Sequence, residues 1–140
     1  MGDDLASANV NRAYSLAATS IAIFTFTLFF LYPKFTSGEA DALLFQATIV
    51  VMAVATFSFV FASFYYYCAS GGRRFDDAQK ATFTRRADRF WLLGYSLLFL
   101  APSLILYSIE LLAVATVWLL LWIVYVLFVF HHFPKVQTPR

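Results

Sequence analysis

The sequence predicts an all-α integral membrane protein whose four transmembrane helices form two antiparallel hairpins, with the third helix extended into a cytosolic basic stalk. Hydrophobic residues make up 61% of the 140 residues and charged residues only 13%, whereas soluble domains average about 45–50% and about 25%. A membrane-spanning helix needs about 20 apolar residues. Four uncharged runs reach that length: 13–32, 42–72, 90–109 and 111–134. The length favours a single domain, residues 1–140.

The first helix is expected to begin near Ser7 or Asn9, because both side chains cap helix N-termini. It is expected to end at Tyr32, because Pro33 disfavours helical geometry in the residue before it. Residues 33–39 then form a short polar loop. The apolar run is too long for a typical signal peptide, so we interpret it as a retained span.

The second run is longer than a bilayer requires, since 31 residues extend about 45 Å as a helix. This helix is therefore expected to tilt or to protrude at its tyrosine-rich end, residues 65–67. We expect Gly71 and Gly72 to end it.

The third helix is expected to begin well before its apolar run. Asp76 followed by Gln79 forms a capping-box pattern, and residues 77–89 contain no glycine or proline. We therefore predict a stalk that continues directly into the span. Pro102 deprives the Leu98 carbonyl of its helical donor and predicts a kink.

The fourth helix follows a tight connection at residues 107–110, and the tail from Pro134 is expected to be extended. The two halves of the chain are faintly similar. Arg-Ala pairs at 12–13 and 86–87 precede the first and third spans, and Tyr32 and Tyr107 lie at the ends of those spans. So few matches are explained either by duplication of a hairpin or by chance.

The basic residues predict the orientation. With four spans, nine of the ten lysines and arginines fall on one side of the membrane, and only Lys34 falls on the other. The positive-inside rule then places both termini in the cytoplasm. A bacterial-type inner membrane is the expected location.

The sequence lacks residues and motifs that several functional classes require. No charged residue lies deep in a span, which argues against a proton-coupled transporter acting alone. The sequence contains no phosphate-binding glycine loop, metal-ligand pattern or nucleophile–base pair. We therefore expect no enzymatic activity, catalytic residue, cofactor or metal. The net charge of +2 does not suggest a nucleic-acid partner.

The first helix carries a line of candidate pore-lining residues. Ser15, Thr19, Ile23 and Thr27 recur every four residues, and hydroxyls offer weak, exchangeable ligands to an ion. Ordinary helix packing through small and hydroxyl residues is the alternative. A single four-helix bundle has no room for a channel, so a pore requires several copies.

Arg85, Arg86 and Arg89 immediately precede the third apolar run and are candidates for binding lipid headgroups or a partner. They also serve as topology determinants. Asp88, three residues after Arg85, is expected to offset part of their mutual repulsion.

The vicinal pair His131 and His132 is a candidate pH sensor. The two side chains diverge by about 100° on a helix, so they do not readily chelate one ion. They also fit a simple location at the membrane interface.

Two functional hypotheses remain. In the first, the protein is a small polytopic membrane protein that self-assembles as an ion-conducting or bilayer-perturbing oligomer. In the second, it is an accessory or scaffold subunit of a larger membrane complex. The expected partners are the lipid bilayer and either further copies of the chain or other membrane subunits.

Overall fold

The computed structural model describes the backbone of residues 2–70 and 75–136 and the side chains of residues 8–70, 75–129 and 131. It contains four helices: α1 (Gly2–Thr36), α2 (Ala42–Ser70), α3 (Asp77–Ser108) and α4 (Leu112–Val136). All four are long and apolar enough to cross a membrane. The prediction of an all-helical protein with four candidate spans is therefore confirmed.

Both predicted ends of α1 are wrong. The helix begins at Gly2, before the proposed caps, and continues through Pro33 to Thr36. Proline has a helical φ, but it lacks a backbone donor and its ring crowds the carbonyl four residues earlier. The turn after it is well bonded, since the Pro33 carbonyl accepts from the Ser37 amide (3.0 Å) and from the Thr36 hydroxyl (2.9 Å).

The chain leaves α1 through a left-handed residue, Gly38, with φ of 77°. The Glu39 amide donates to the Lys34 carbonyl at 2.9 Å, and the Gly38 amide donates to the Phe35 carbonyl at 3.2 Å. These are the two bonds of a Schellman motif, which satisfies the last carbonyls of a helix. The motif replaces the predicted loop of residues 33–39 with a shorter turn.

The turn after α3 has the same hydrogen-bond pattern as the turn after α1, but its left-handed residue is not glycine. Glu110 adopts φ of 62°, a conformation that is unfavourable for side chains other than glycine. The Leu111 amide donates to the Leu106 carbonyl at 3.0 Å. The Asp41 amide donates to the Ser108 carbonyl at 3.4 Å, so the two turns lie side by side.

The predicted start of α3 is confirmed, because Asp76 and Gln79 form both bonds of the capping box. The helix is continuous from Asp77 into the apolar run and through Pro102, where the kink stays a prediction. The end of α2 at Gly71 and Gly72 lies outside the described residues. Helix α4 includes Pro134, so the prediction of an extended tail beginning there is wrong.

The helices pack mainly in chain order: α1 on α2, α2 on α3 and α3 on α4, with α2 against α3 the most extensive interface. Along α3, small buried residues are spaced seven apart, and the first two of them lie against α2. They are Ala87, Gly94, Ala101 and Ser108. Small residues allow two helix backbones to approach closely.

At Gly94 the α3 backbone lies directly against the Phe59 ring of α2. A Cβ atom at this position would lie 2.9 Å from Cε1 of the Phe59 ring. Phe59 is fully buried and meets Tyr95 edge-on, with ring centroids 5.5 Å apart. Glycine is therefore required here by packing.

The interface between α1 and α2 is also lined by small residues on the α1 side. Ala13, Ala17 and Ser20 are buried, and Ser20 Oγ lies 2.8 Å from Thr56 Oγ1. Thr56 donates its own proton to the Met52 carbonyl, so Ser20 is the donor of the bond between the helices.

Helix α4 is attached to α3 mainly through polar side chains. The hydrogen bonds between the two helices include Trp118 Nε1 to the Phe99 carbonyl (2.8 Å), Trp122 Nε1 to the Ser96 carbonyl (2.7 Å), Ser103 Oγ to the Ala115 carbonyl (3.1 Å), and the Tyr107 hydroxyl with Thr116 Oγ1 (2.9 Å). Inside a bilayer an indole N–H has no water to bond, so both indoles obtain backbone partners.

Candidate functional site

One end of the helices brings together the beginning of α1, the end of α2 and the N-terminal part of α3. Ala13, Ala62, Tyr66 and Ala87 form one buried cluster there. Ala13 and Ala87, the alanines of the two Arg-Ala pairs noted in the sequence, both belong to this cluster. Their arginines lie at the same end of the molecule.

A hydrogen bond between two helices anchors this end. The Tyr66 hydroxyl donates to Asp88 Oδ1 at 2.6 Å, and Tyr66 is only 5% exposed. Asp88 therefore interacts with α2. It forms no salt bridge with Arg85 in the described part of the chain. The expected offset of the repulsion among the arginines by the Asp88 charge stays a prediction.

The three candidate arginines Arg85, Arg86 and Arg89 are all exposed on α3. Within the described residues, none has a hydrogen-bond or ion-pair partner. They form a patch of positive charge at the point where the apolar run begins. Such a patch attracts anionic groups, including lipid headgroups.

An aromatic surface lies beside Arg86. Tyr65 stacks on Phe90, with ring centroids 5.7 Å apart, and also on Phe83 at 6.3 Å. Phe83, Arg86 and Phe90 are at positions i, i+3 and i+7, which share one face of a helix. Phe61 extends the surface, with its ring 5.5 Å from Phe90.

The three adjacent tyrosines at the end of α2 have different environments. Tyr65 is half-buried and stacked, Tyr66 is buried and hydrogen-bonded, and Tyr67 is 66% exposed. The signal for Tyr66 is its seven-residue spacing from Phe59, which continues the buried face of α2.

The structure does not place the four pore-lining candidates on one surface. Ser15, Thr19 and Ile23 are exposed, whereas Thr27 is only 4% exposed. Residues four apart drift by about 40° around a helix, so the line turns from the outer surface into the interface. The Thr19 hydroxyl donates to the Ser15 carbonyl of its own helix at 2.9 Å.

A different stripe on α1 is exposed along its whole length. Its members are small or polar and alternate between four- and three-residue spacing: Asn11, Ser15, Ala18, Ala22 and Thr25. The exposed face of α4 carries large apolar side chains instead: Leu112, Val117, Leu120, Leu121, Val124, Leu127 and Phe128. Sequence reasoning followed the four-residue hydroxyl line and missed this alternating spacing.

The remaining candidates add little chemistry. His131 is exposed, and the His132 side chain lies outside the described residues. The pH-sensor role of the pair therefore stays a prediction. Among the described residues, no group of three metal-ligating side chains occurs. An apolar groove of about 240 Å³ lies between α3 and α4, lined by Phe99, Trp118, Leu121, Trp122 and Tyr125.

Comparisons with known proteins found no matching family model, no similar curated protein and no similar solved structure.

Proposed function

We propose that this chain is a small, non-enzymatic polytopic membrane protein that assembles with further copies of itself through the exposed stripe of α1. The observation that carries the proposal is the chemistry of that stripe, formed by Asn11, Ser15, Ala18, Ala22 and Thr25. In lipid, apolar surface alone does not drive helices together. Association depends on close packing and hydrogen bonds, which small and hydroxyl residues provide.

The interfaces within the chain support this interpretation. Helix α1 contacts α2 through Ala13, Ala17 and Ser20, which follow the same alternating spacing on another face. Helix α4, in contrast, exposes large side chains suited to lipid. The stripe on α1 therefore resembles the helix-contacting faces of this chain more than its other outer faces.

The proposal includes a definite arrangement in the membrane. The helices form two antiparallel hairpins, α1 with α2 and α3 with α4, and the beginning of α3 forms a cytosolic basic stalk. Both termini are cytoplasmic, in a bacterial-type inner membrane. The support is the distribution of charge, with nine of ten basic residues on the proposed inner side.

Cysteine labelling tests this orientation. In a Cys68→Ser background, Ser37→Cys places a thiol in the exposed turn after α1, and Thr82→Cys places one on the exposed stalk. An impermeant maleimide applied to intact cells should label only the first variant. Both should react after the membrane is permeabilised. Labelling of Thr82→Cys in intact cells would contradict the proposed orientation.

Disulfide cross-linking tests the assembly. In the same background, single cysteines at Ser15, Ala18 and Ala22 should form covalent dimers in the membrane under mild oxidation, because a two-fold axis brings equivalent stripes together. Leu120→Cys is the matched control, since Leu120 is exposed on the large-residue face of α4. It should remain monomeric at the same expression level.

Equal cross-linking at the stripe and at Leu120 would indicate random collision and would contradict self-assembly. A purified monomer together with stripe cysteines that cross-link to a different membrane protein would favour the accessory-subunit hypothesis. Ion conduction is the narrower form of the proposal. In that form, Ser15 and Thr19 line the pore, because both are exposed on the surface of the chain. Thr27 does not line it, because it is buried within the chain.

A further inference from the structure

We propose that Arg86, together with Arg89 and the Tyr65 hydroxyl, binds the phosphate of an anionic membrane lipid whose acyl chain lies along Phe61. This inference depends on the membrane location of the protein and is independent of its self-assembly. It assigns a specific lipid site to the junction of α2 and α3.

The first support is uncompensated charge. Arg86 and Arg89 are exposed and have no hydrogen-bond or ion-pair partner in the described part of the chain. Asp88 is the carboxylate closest to them along α3, and its Oδ1 accepts the Tyr66 hydroxyl at 2.6 Å. Because neither guanidinium has an ion-pair partner among the described residues, both are open to an external anion, and arginine matches the geometry of phosphate particularly well.

The second support is position along the membrane normal. Arg89 is the last charged residue before the uncharged run 90–109, so its guanidinium lies at the boundary between hydrocarbon and water. Lipid phosphates occupy that boundary. A soluble anion has no preference for this depth.

The third support is the adjoining aromatic surface. Tyr65 is fixed by stacking on Phe90 and Phe83, and its hydroxyl has no hydrogen-bond partner within the described residues. Below it, Phe61 is 49% exposed and contacts Phe90. From the membrane surface inward, the cationic groups and the hydroxyl come first and the apolar ring of Phe61 follows. A lipid presents its phosphate and then its acyl chain in the same order. An acidic protein segment would leave the apolar part of this surface uncovered.

The test measures lipid binding to the purified full-length protein by native mass spectrometry. The probes are phosphatidylglycerol and phosphatidylcholine, each titrated separately. We expect stronger binding of phosphatidylglycerol and a loss of about fivefold in its affinity for Arg86→Gln, as is typical of one basic residue near anionic lipid. Tyr65→Phe preserves the ring stacking and the net charge and should weaken binding about threefold.

Arg12→Gln is the matched control. It removes the same charge at the same end of the molecule, before Ala13 of the buried cluster, and should change the affinity by less than a factor of about two. Equal losses for Arg12→Gln and Arg86→Gln would overturn the specific site in favour of a diffuse field. Equal affinity for the two lipids would overturn headgroup recognition.

Two further measurements exclude other ligands. Inorganic phosphate at millimolar concentration should not displace the lipid, and displacement would assign the site to a soluble anion. A polyglutamate peptide should bind Arg86→Gln and Arg12→Gln equally. If Arg86→Gln selectively loses the peptide and retains phosphatidylglycerol, the patch is a protein-docking surface and the proposal is wrong.

Discussion

Replacing Gly94 with alanine should destabilise the protein by about 1–3 kcal/mol, the usual cost of overpacking a filled interface. The new Cβ would lie 2.9 Å from Phe59 Cε1, and the buried ring is held against Tyr95. Gly94→Leu should cost more and separate α2 from α3. Reversible unfolding in mixed detergent micelles measures the free energy. Ala113→Leu, at an exposed position of α4, is the control for added volume and should have little effect.

Phe59→Leu identifies the mechanism. Combined with Gly94→Ala, it should give a smaller loss than the sum of the two single losses, because the smaller side chain leaves room for the Cβ. Strict additivity, or stabilisation by Gly94→Ala alone, would show that the contact between Gly94 and Phe59 does not limit the packing of α2 on α3.

Replacing Tyr66 with phenylalanine should cost about 1.5–3 kcal/mol, the range for hydrogen bonds to charged groups. The substitution keeps the ring in its buried cluster and removes only the donor to Asp88 Oδ1. The same unfolding measurement applies. Tyr67→Phe is the matched control, since Tyr67 is exposed and its hydroxyl has no partner in the described part of the chain.

Asp88→Asn separates the hydrogen bond from the charge. The amide oxygen still accepts from Tyr66, so this variant should retain more stability than Tyr66→Phe. Equal stability of Tyr66→Phe and Tyr67→Phe would indicate that the bond between α2 and α3 contributes nothing to the fold.

The sequence by itself determined the number of helices and the start of α3. Both depend on local features: uncharged runs of sufficient length, and a capping box whose two side chains lie three residues apart. Helix ends at Pro33 and Pro134 were less predictable, because the bonding of the neighbouring turns decides whether a helix continues through proline.

Only the tertiary structure decided which face of each helix is an interface. Membrane helices are apolar on all sides, so hydrophobic periodicity does not separate the inner from the outer face. In this chain, side-chain size separates the inner from the outer face, as at Gly94 opposite Phe59. For the same reason Ser15 and Thr27, alike in the sequence, lie on different surfaces. Tyr66 differs from its two neighbours because it lies on the buried face of α2 and because Asp88 of another helix lies within hydrogen-bond distance.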